Sequence, residues 1–381
     1  GGDLLKLRYI FDAGLQGERR SVSSLSFGTP VFRSPPARAH QVRQLCHSAM
    51  AFPDPSLFLL LILSLAFLLR PSESRLTMDH YNQSCPDFKQ IMIDVITDKQ
   101  IKSPTTAAAT LRLFFHDCII GGCDASILVS STPFNNAERD ANINLSLPGD
   151  GFDVIVRAKT ALEISCPGVV SCADILAVAA RDLVTMVGGP HYDVRLGRKD
   201  SRSSTSSCFE GRIPESSMPL SQIFSIFNSS GFTVQEMVAL AGAHTIGFSH
   251  CKEFAQGIYS YSKDSETDPN YNPAFAQALQ IACRNYSSNP SLSVFNDIMT
   301  PSKFDNSYYQ NLPKGLGLLA SDRALHKDPS TRPFVELYAK DQNAFFLAFS
   351  RAMEKLSRLN VTVGKSGEIR RRCDAVNSMT I

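Results

Sequence analysis

The stretch Leu111–Ser126, LRLFFHDCIIGGCDAS, puts a cation, an imidazole and several hard oxygen donors into one short run. Arg112 and His116 are four apart, so on a helix they project from one face, a turn from each other. An imidazole beside a cation on a rigid helix suits proton transfer to and from a small bound molecule. Asp117, Asp124 and Ser126 follow, threaded through Gly121 and Gly122 and bracketed by Cys118 and Cys123. Hard oxygens on a glycine-bent loop suit Ca2+. Either feature alone is commonplace, since an Arg/His pair is usually a solvated face and such a loop an ordinary turn. Their coincidence matters because a second His-centred stretch, LAGAHTIG at Leu240–Gly247, lies downstream. The small residues around His244 let a backbone approach a flat ligand closely.

These two motifs carry a resemblance. RLFFHDC with GCDAS is similar to the distal signature of the secreted plant haem peroxidases, the class III family. LAGAHTIG is similar to that family's proximal haem-ligand signature, in the same order and at about the same separation, and the likeness runs from Tyr81 to Asn377. It implies an all-α haem peroxidase fold, with helical distal and proximal halves and haem between them. It implies one haem b and two Ca2+. The implied partners are H2O2 and small phenolic donors oxidised in one-electron steps, and the implied state is a monomer.

By the resemblance, Arg112, Phe115 and His116 line the peroxide side, with His116 moving the proton and Arg112 stabilising developing charge. Asn144, in ERDANINL, matches the Asn that orients the distal His, and Glu138 matches the Glu that supports it. His244 matches the axial iron ligand, and Asp322, in LASDRAL, the carboxylate behind it. Two departures stand out. The segment LSLPGDGF after Asn144 is longer than the family's common NSLRGF and lacks its Arg. Asn296 stands where horseradish peroxidase has a Phe stacked under the proximal His, which bears on redox tuning.

The same resemblance implies a distal Ca2+ set from the side chains of Asp117, Asp124 and Ser126 and the carbonyls of Asp117, Ile120 and Gly122, with a water bridge to Glu138. A proximal set maps to Thr245, Asp297, Thr300, Lys303 (carbonyl) and Asp305. It also implies the pairs Cys85–Cys166, Cys118–Cys123, Cys172–Cys373 and Cys251–Cys283; sequence alone leaves 105 connectivities for eight cysteines. Cys46 falls in the N-terminal segment, and Cys208 is left over in the mature chain. Pro214, in GRIPESS, matches the Pro at the aromatic-donor edge.

Composition narrows the class. Ten cysteines without a CxxC pair fit disulfides better than zinc, and a net charge of +2 without a basic run gives no reason to expect nucleic acid. The absence of Trp excludes a peroxidase that uses a radical or surface Trp. A non-catalytic wall protein on the same scaffold would have no need of both Arg112 and His116. Residues 1–49 read as irregular Ser/Arg/Gly-rich chain and are expected to be an over-extension of the coding sequence. Met50 then opens a leader whose apolar run Leu57–Leu69 is too short to span a bilayer and suits a signal peptide. Residues 50–74 are the expected signal peptide and 75–381 the peroxidase domain, secreted to the cell wall with no membrane segment in the mature form. Sequons at Asn82, Asn144, Asn228, Asn285 and Asn360 suit that route; Asn144, behind the pocket, is expected to be unmodified.

Positioning these residues requires helices. The apolar periodicity predicts them over Asp87–Ile101, Thr105–His116, Gly151–Ile164, Cys172–Val187, Leu220–Asn228, Val234–Leu240 with Thr233 as N-cap, Pro273–Cys283 and, as one or two pieces, Pro333–Leu359. Tyr192–Leu196 reads as a short strand, and Arg198–Arg212 and Lys263–Asn272 as polar loops.

Overall fold

The structure, a computed structural model, describes residues 76–209 and 211–377. The expected leader, residues 1–49 and Cys46 lie outside the described residues. Twelve α-helices are present among them: α1 Phe88–Lys102, α2 Thr106–Ile120, α3 Gly149–Ser165, α4 Cys172–Met186, α5 Leu220–Ser229, α6 Val234–Ala241, α7 Ala255–Tyr259, α8 Pro273–Ala282, α9 Ser307–Asn311, α10 Ala320–Lys327, α11 Arg332–Lys340 and α12 Gln342–Leu356. One antiparallel hairpin, β1 Phe248–His250 with β2 Ser293–Phe295, completes the regular structure. None of the described helices is long and apolar enough to cross a membrane.

Helix α2 is the centre of the distal half. Twelve of its 15 residues are buried, which a helix tolerates only when neighbours cover it all round. Helices α3 and α4 provide that cover, and α1 packs on both. Truncating a residue such as Phe114, fully enclosed here, costs about 3–5 kcal/mol. In the proximal half α6 packs along α12 and runs into a 3-10 turn, Gly242–Thr245, that carries His244. Side chains fix where these helices start. Ser171 caps α4, Asn272 with Pro273 opens α8, Asp341 caps α12, and Thr233 with Glu236 forms a capping box on α6.

The expected helices all form, with ends shifted by a few residues. The expected strand Tyr192–Leu196 does not. Its inward–outward alternation is real, with Tyr192, Val194 and Leu196 buried, but no strand lies alongside and only Leu196 pairs, with Thr77. The Arg198–Arg212 segment is irregular as expected yet not wholly a surface loop. Arg198 is buried and donates to Asp174 at 2.8 Å, and the same carboxylate accepts from Tyr81 at 2.7 Å.

Candidate active site

On α2, His116 is buried and its Nδ1 lies 2.7 Å from Asn144 Oδ1. The Asn144 Nδ2 donates to the main-chain carbonyl of Glu138 at 2.7 Å, so the amide oxygen faces the ring. An amide oxygen can only accept, hence Nδ1 of His116 carries the proton and Nε2 presents a lone pair. Burial, and then the nearby Arg112 charge, push the His116 pKa down to about 3, with the Asn144 bond opposing weakly. The imidazole is therefore neutral at ordinary pH. Glu138 supports Asn144 as expected, but through its backbone; its carboxylate accepts directly from Ser126 Oγ at 2.8 Å.

Arg112 donates through both Nη atoms to Ser146, 3.0 Å to its carbonyl and 2.9 Å to its hydroxyl. Ser146 belongs to the segment LSLPGDGF that follows Asn144, so that segment supplies the clamp that aims the guanidinium. Phe115, half-buried, stands 6.2 Å from the His116 ring and 5.9 Å from Phe227 on α5.

The proximal imidazole has a different partner. His244 Nδ1 is 2.9 Å from Asp322 Oδ1 in the first turn of α10. The same oxygen accepts from Tyr308 at 2.8 Å, and Oδ2 accepts from the backbone N–H of Leu319 at 3.3 Å. Burial alone would lower the His244 pKa, yet the Asp322 charge and hydrogen bond outweigh it and the net direction is up. Asn296 uses its side-chain amide on the backbone and hairpin beside His244. It accepts from Ser249 at 2.7 Å and donates to the Ile246 carbonyl at 3.3 Å, clamping the hairpin to the His244 turn.

His244 sits deep in the fold, but 39% of its side-chain surface is open. A residue both deep and open lines a cleft. Arg112, Phe115, Ala241 and Ala243 are likewise half-open, and the Arg112 charge acts on both His116 and His244. A cleft with a free Nε2 on His244, a small-residue wall and a neutral imidazole beside a cation fits a haem.

A peroxidase family model matches residues 92–341. The chain belongs to the peroxidase family. It is 61% identical to Peroxidase 63 of Arabidopsis thaliana over 321 residues, covering 84% of this chain and 96% of the relative. Peroxidase 31 of the same plant is 62% identical over 306 residues, covering 80% and 95%, and Peroxidase 65 is 53% identical over 328 residues, covering 86% and 97%. The chain is thus a plant peroxidase of class III type, an oxidoreductase that reduces H2O2 at the expense of a reductant and uses haem.

In this peroxidase the expected calcium residues come together as two loops. In the distal loop Asp117 accepts from Ala125 N at 3.0 Å and Ile127 N at 3.4 Å, and Asp124 accepts from Ser126 N at 3.1 Å. Burial and then Asp124 and Glu138 push the Asp117 pKa well up; burial pushes Glu138 to about 7 despite the Ser126 bond. Crowded carboxylates held this way gain most from a cation. Gly122 is required there: its φ is +120°, and a Cβ would lie 2.2 Å from the Asn360 carbonyl. The Ile120 carbonyl accepts from Arg212 at 3.1 Å, leaving it one lone pair. In the proximal loop Thr300 donates to Asp305 at 3.0 Å, Asp297 accepts from Asn311 at 2.9 Å, and Thr245 donates to the Lys303 carbonyl at 3.5 Å. No group of three or more His, Cys, Asp or Glu is gathered for a metal among the described residues. The oxygens gathered in the two loops come from carboxylates, hydroxyls and carbonyls, all hard donors.

All four expected disulfides form, and Cys208 is free and exposed. Pro214 is half-buried in a loop tied down by Ser216, which accepts from Ser321 N at 3.2 Å and donates to Glu253 at 3.3 Å. Asn144 is buried, whereas Asn82, Asn228, Asn285 and Asn360 are exposed. Sequence reasoning missed Ser146, Tyr308 and Arg370, whose Nη2 holds the Ala125 carbonyl of the distal loop at 2.6 Å. None carries a motif of its own.

Proposed function

We propose that this protein is a secreted peroxidase with one haem b and two Ca2+, oxidising small phenolic donors one electron at a time as a monomer of residues 75–381. Haem bound in the cleft would supply the chemistry for the two-electron reduction of H2O2 and for accepting electrons singly from the donor. His116 is the proton carrier: its Nε2 lone pair takes a proton from bound peroxide and returns it to the departing oxygen. Asn144 fixes the tautomer that makes this possible, and Arg112 stabilises the charge that develops on the departing oxygen, an effect of about 3 kcal/mol for one preorganised donor. Phe115 closes the peroxide side. His244 would hold the iron through Nε2, with Asp322 drawing on its Nδ1 proton. Asp117, Ile120, Gly122, Asp124, Ser126 and Glu138 would hold one Ca2+; Thr245, Asp297, Thr300, Lys303 and Asp305 would hold the other. Pro214 borders the donor edge. The observation that carries the reading is the pair of imidazoles whose Nδ1 atoms are committed to opposite partners, an amide and a carboxylate.

The test is a visible spectrum of the haem-loaded protein before and after one equivalent of H2O2. The expected result is a ferric Soret band that loses intensity with peroxide and recovers on adding guaiacol. A bound haem inert to peroxide would count against the His116 and Arg112 roles, and no recovery with guaiacol against phenolic donors.

A further inference from the structure

We infer that Tyr308 is a positioning residue of the proximal centre, whose hydroxyl limits how much negative charge Asp322 passes to His244. The inference rests on the reading of His244 as the iron ligand. Tyr308 Oη donates to Asp322 Oδ1 at 2.8 Å, and His244 Nδ1 meets that same atom at 2.9 Å. A phenol can only donate to a carboxylate, and hydrogen bonds to ionised acceptors are the strong ones. The two donors therefore compete for one oxygen. With Leu319 N on Oδ2, Asp322 serves three donors and is buried with no exposed lone pair to relax toward water.

The geometry holds Tyr308 in this place. It is buried, set edge-on to His244 with centroids 6.1 Å apart, and backed by Tyr309 at 5.0 Å. Asn296 is committed to the hairpin, so Tyr308 is the aromatic neighbour of the proximal ring. Removing the hydroxyl makes Asp322 a stronger acceptor. His244 then acquires more imidazolate character and binds ferric iron more strongly relative to ferrous iron. The outer hydrogen bond thus acts on the metal through two intervening groups, the way such partners tune haem sites.

The test compares haem-loaded wild type, Tyr308→Phe and Tyr309→Phe. Tyr309 is the control, since it is equally buried but donates to the Val238 carbonyl at 2.7 Å and not to Asp322. Spectroelectrochemistry gives the ferric/ferrous midpoint, and resonance Raman of the ferrous protein gives the iron–imidazole stretch. Tyr308→Phe is expected to favour the ferric state by roughly three- to tenfold, a fall of about 30–59 mV at 59 mV per decade, with a higher stretching frequency. Tyr309→Phe is expected to move neither. A midpoint that is unchanged or raised in Tyr308→Phe overturns the inference, as does an equal fall in Tyr309→Phe. A wild-type protein that showed no iron–imidazole stretch would instead overturn the assignment of His244 itself.

Discussion

The two sides of the cleft use the same residue with opposite electrostatics. On the distal side burial and the Arg112 charge hold His116 neutral, and its Nδ1 partner is an amide that opposes them only weakly. On the proximal side the partner is a carboxylate, so His244 is pushed toward holding charge. The imidazole itself decides little. Whether it moves protons or holds a metal is set by the atom opposite Nδ1, which comes from a different element in each case.

The largest effect should come from removing the distal member. His116→Leu is expected to slow the reaction with H2O2 by about 10²–10⁴-fold, measured by rapid mixing, while the ferric spectrum set by His244 stays in place. A smaller loss would mean that the distal ring is not the proton carrier. Next, Asn144→Asp gives the distal ring the proximal type of partner. A facing carboxylate raises the His116 pKa from about 3 by roughly 1–3 pH units. Only the neutral ring accepts the peroxide proton, so activity falls as pH drops through the new, higher value. The acid limb of the rate profile should therefore move to higher pH; an unmoved limb would show that another group governs it. The smallest effect compares the two loops. Chelation is expected to lower Tm by roughly 5 °C, from about 2–3 kcal/mol of linked binding. Asp124→Asn, from the loop with three crowded carboxylates, should remove more of that chelator-sensitive shift than Thr300→Ala. A Tm indifferent to chelator would exclude both ions.

The distal site was the more legible of the two. Arg112, Phe115 and His116 share one helix, so their spacing in the chain is already their geometry, and Asn144 is only 28 residues further on. His244 stands out among its small neighbours, whereas Asp322, 78 residues away, is reached, like Asn144 and Phe115, through the family resemblance alone. Tyr308 and Ser146 were not readable. Their roles arise where a loop or a short helix is laid against another element, and one hydroxyl in a sequence has no periodicity to betray it. The misread strand teaches the same point. Tyr192–Leu196 alternates correctly, and alternation reports burial of one face, but a strand also needs a neighbour to bond. Helices, which satisfy their own backbone, were found where expected.

The bond between Arg370 and the Ala125 carbonyl has a consequence in time. The two residues are 245 positions apart. At synthesis rates of 5–20 residues per second, roughly 12–50 s pass between the appearance of one and of the other. Through that interval the distal carboxylate loop is made but lacks the guanidinium that closes over it, and Cys172 waits roughly 10–40 s for Cys373, 201 residues on. The loop nearest the chemistry is thus among the last parts of the domain to be completed, and its maturation is governed from the far end of the chain.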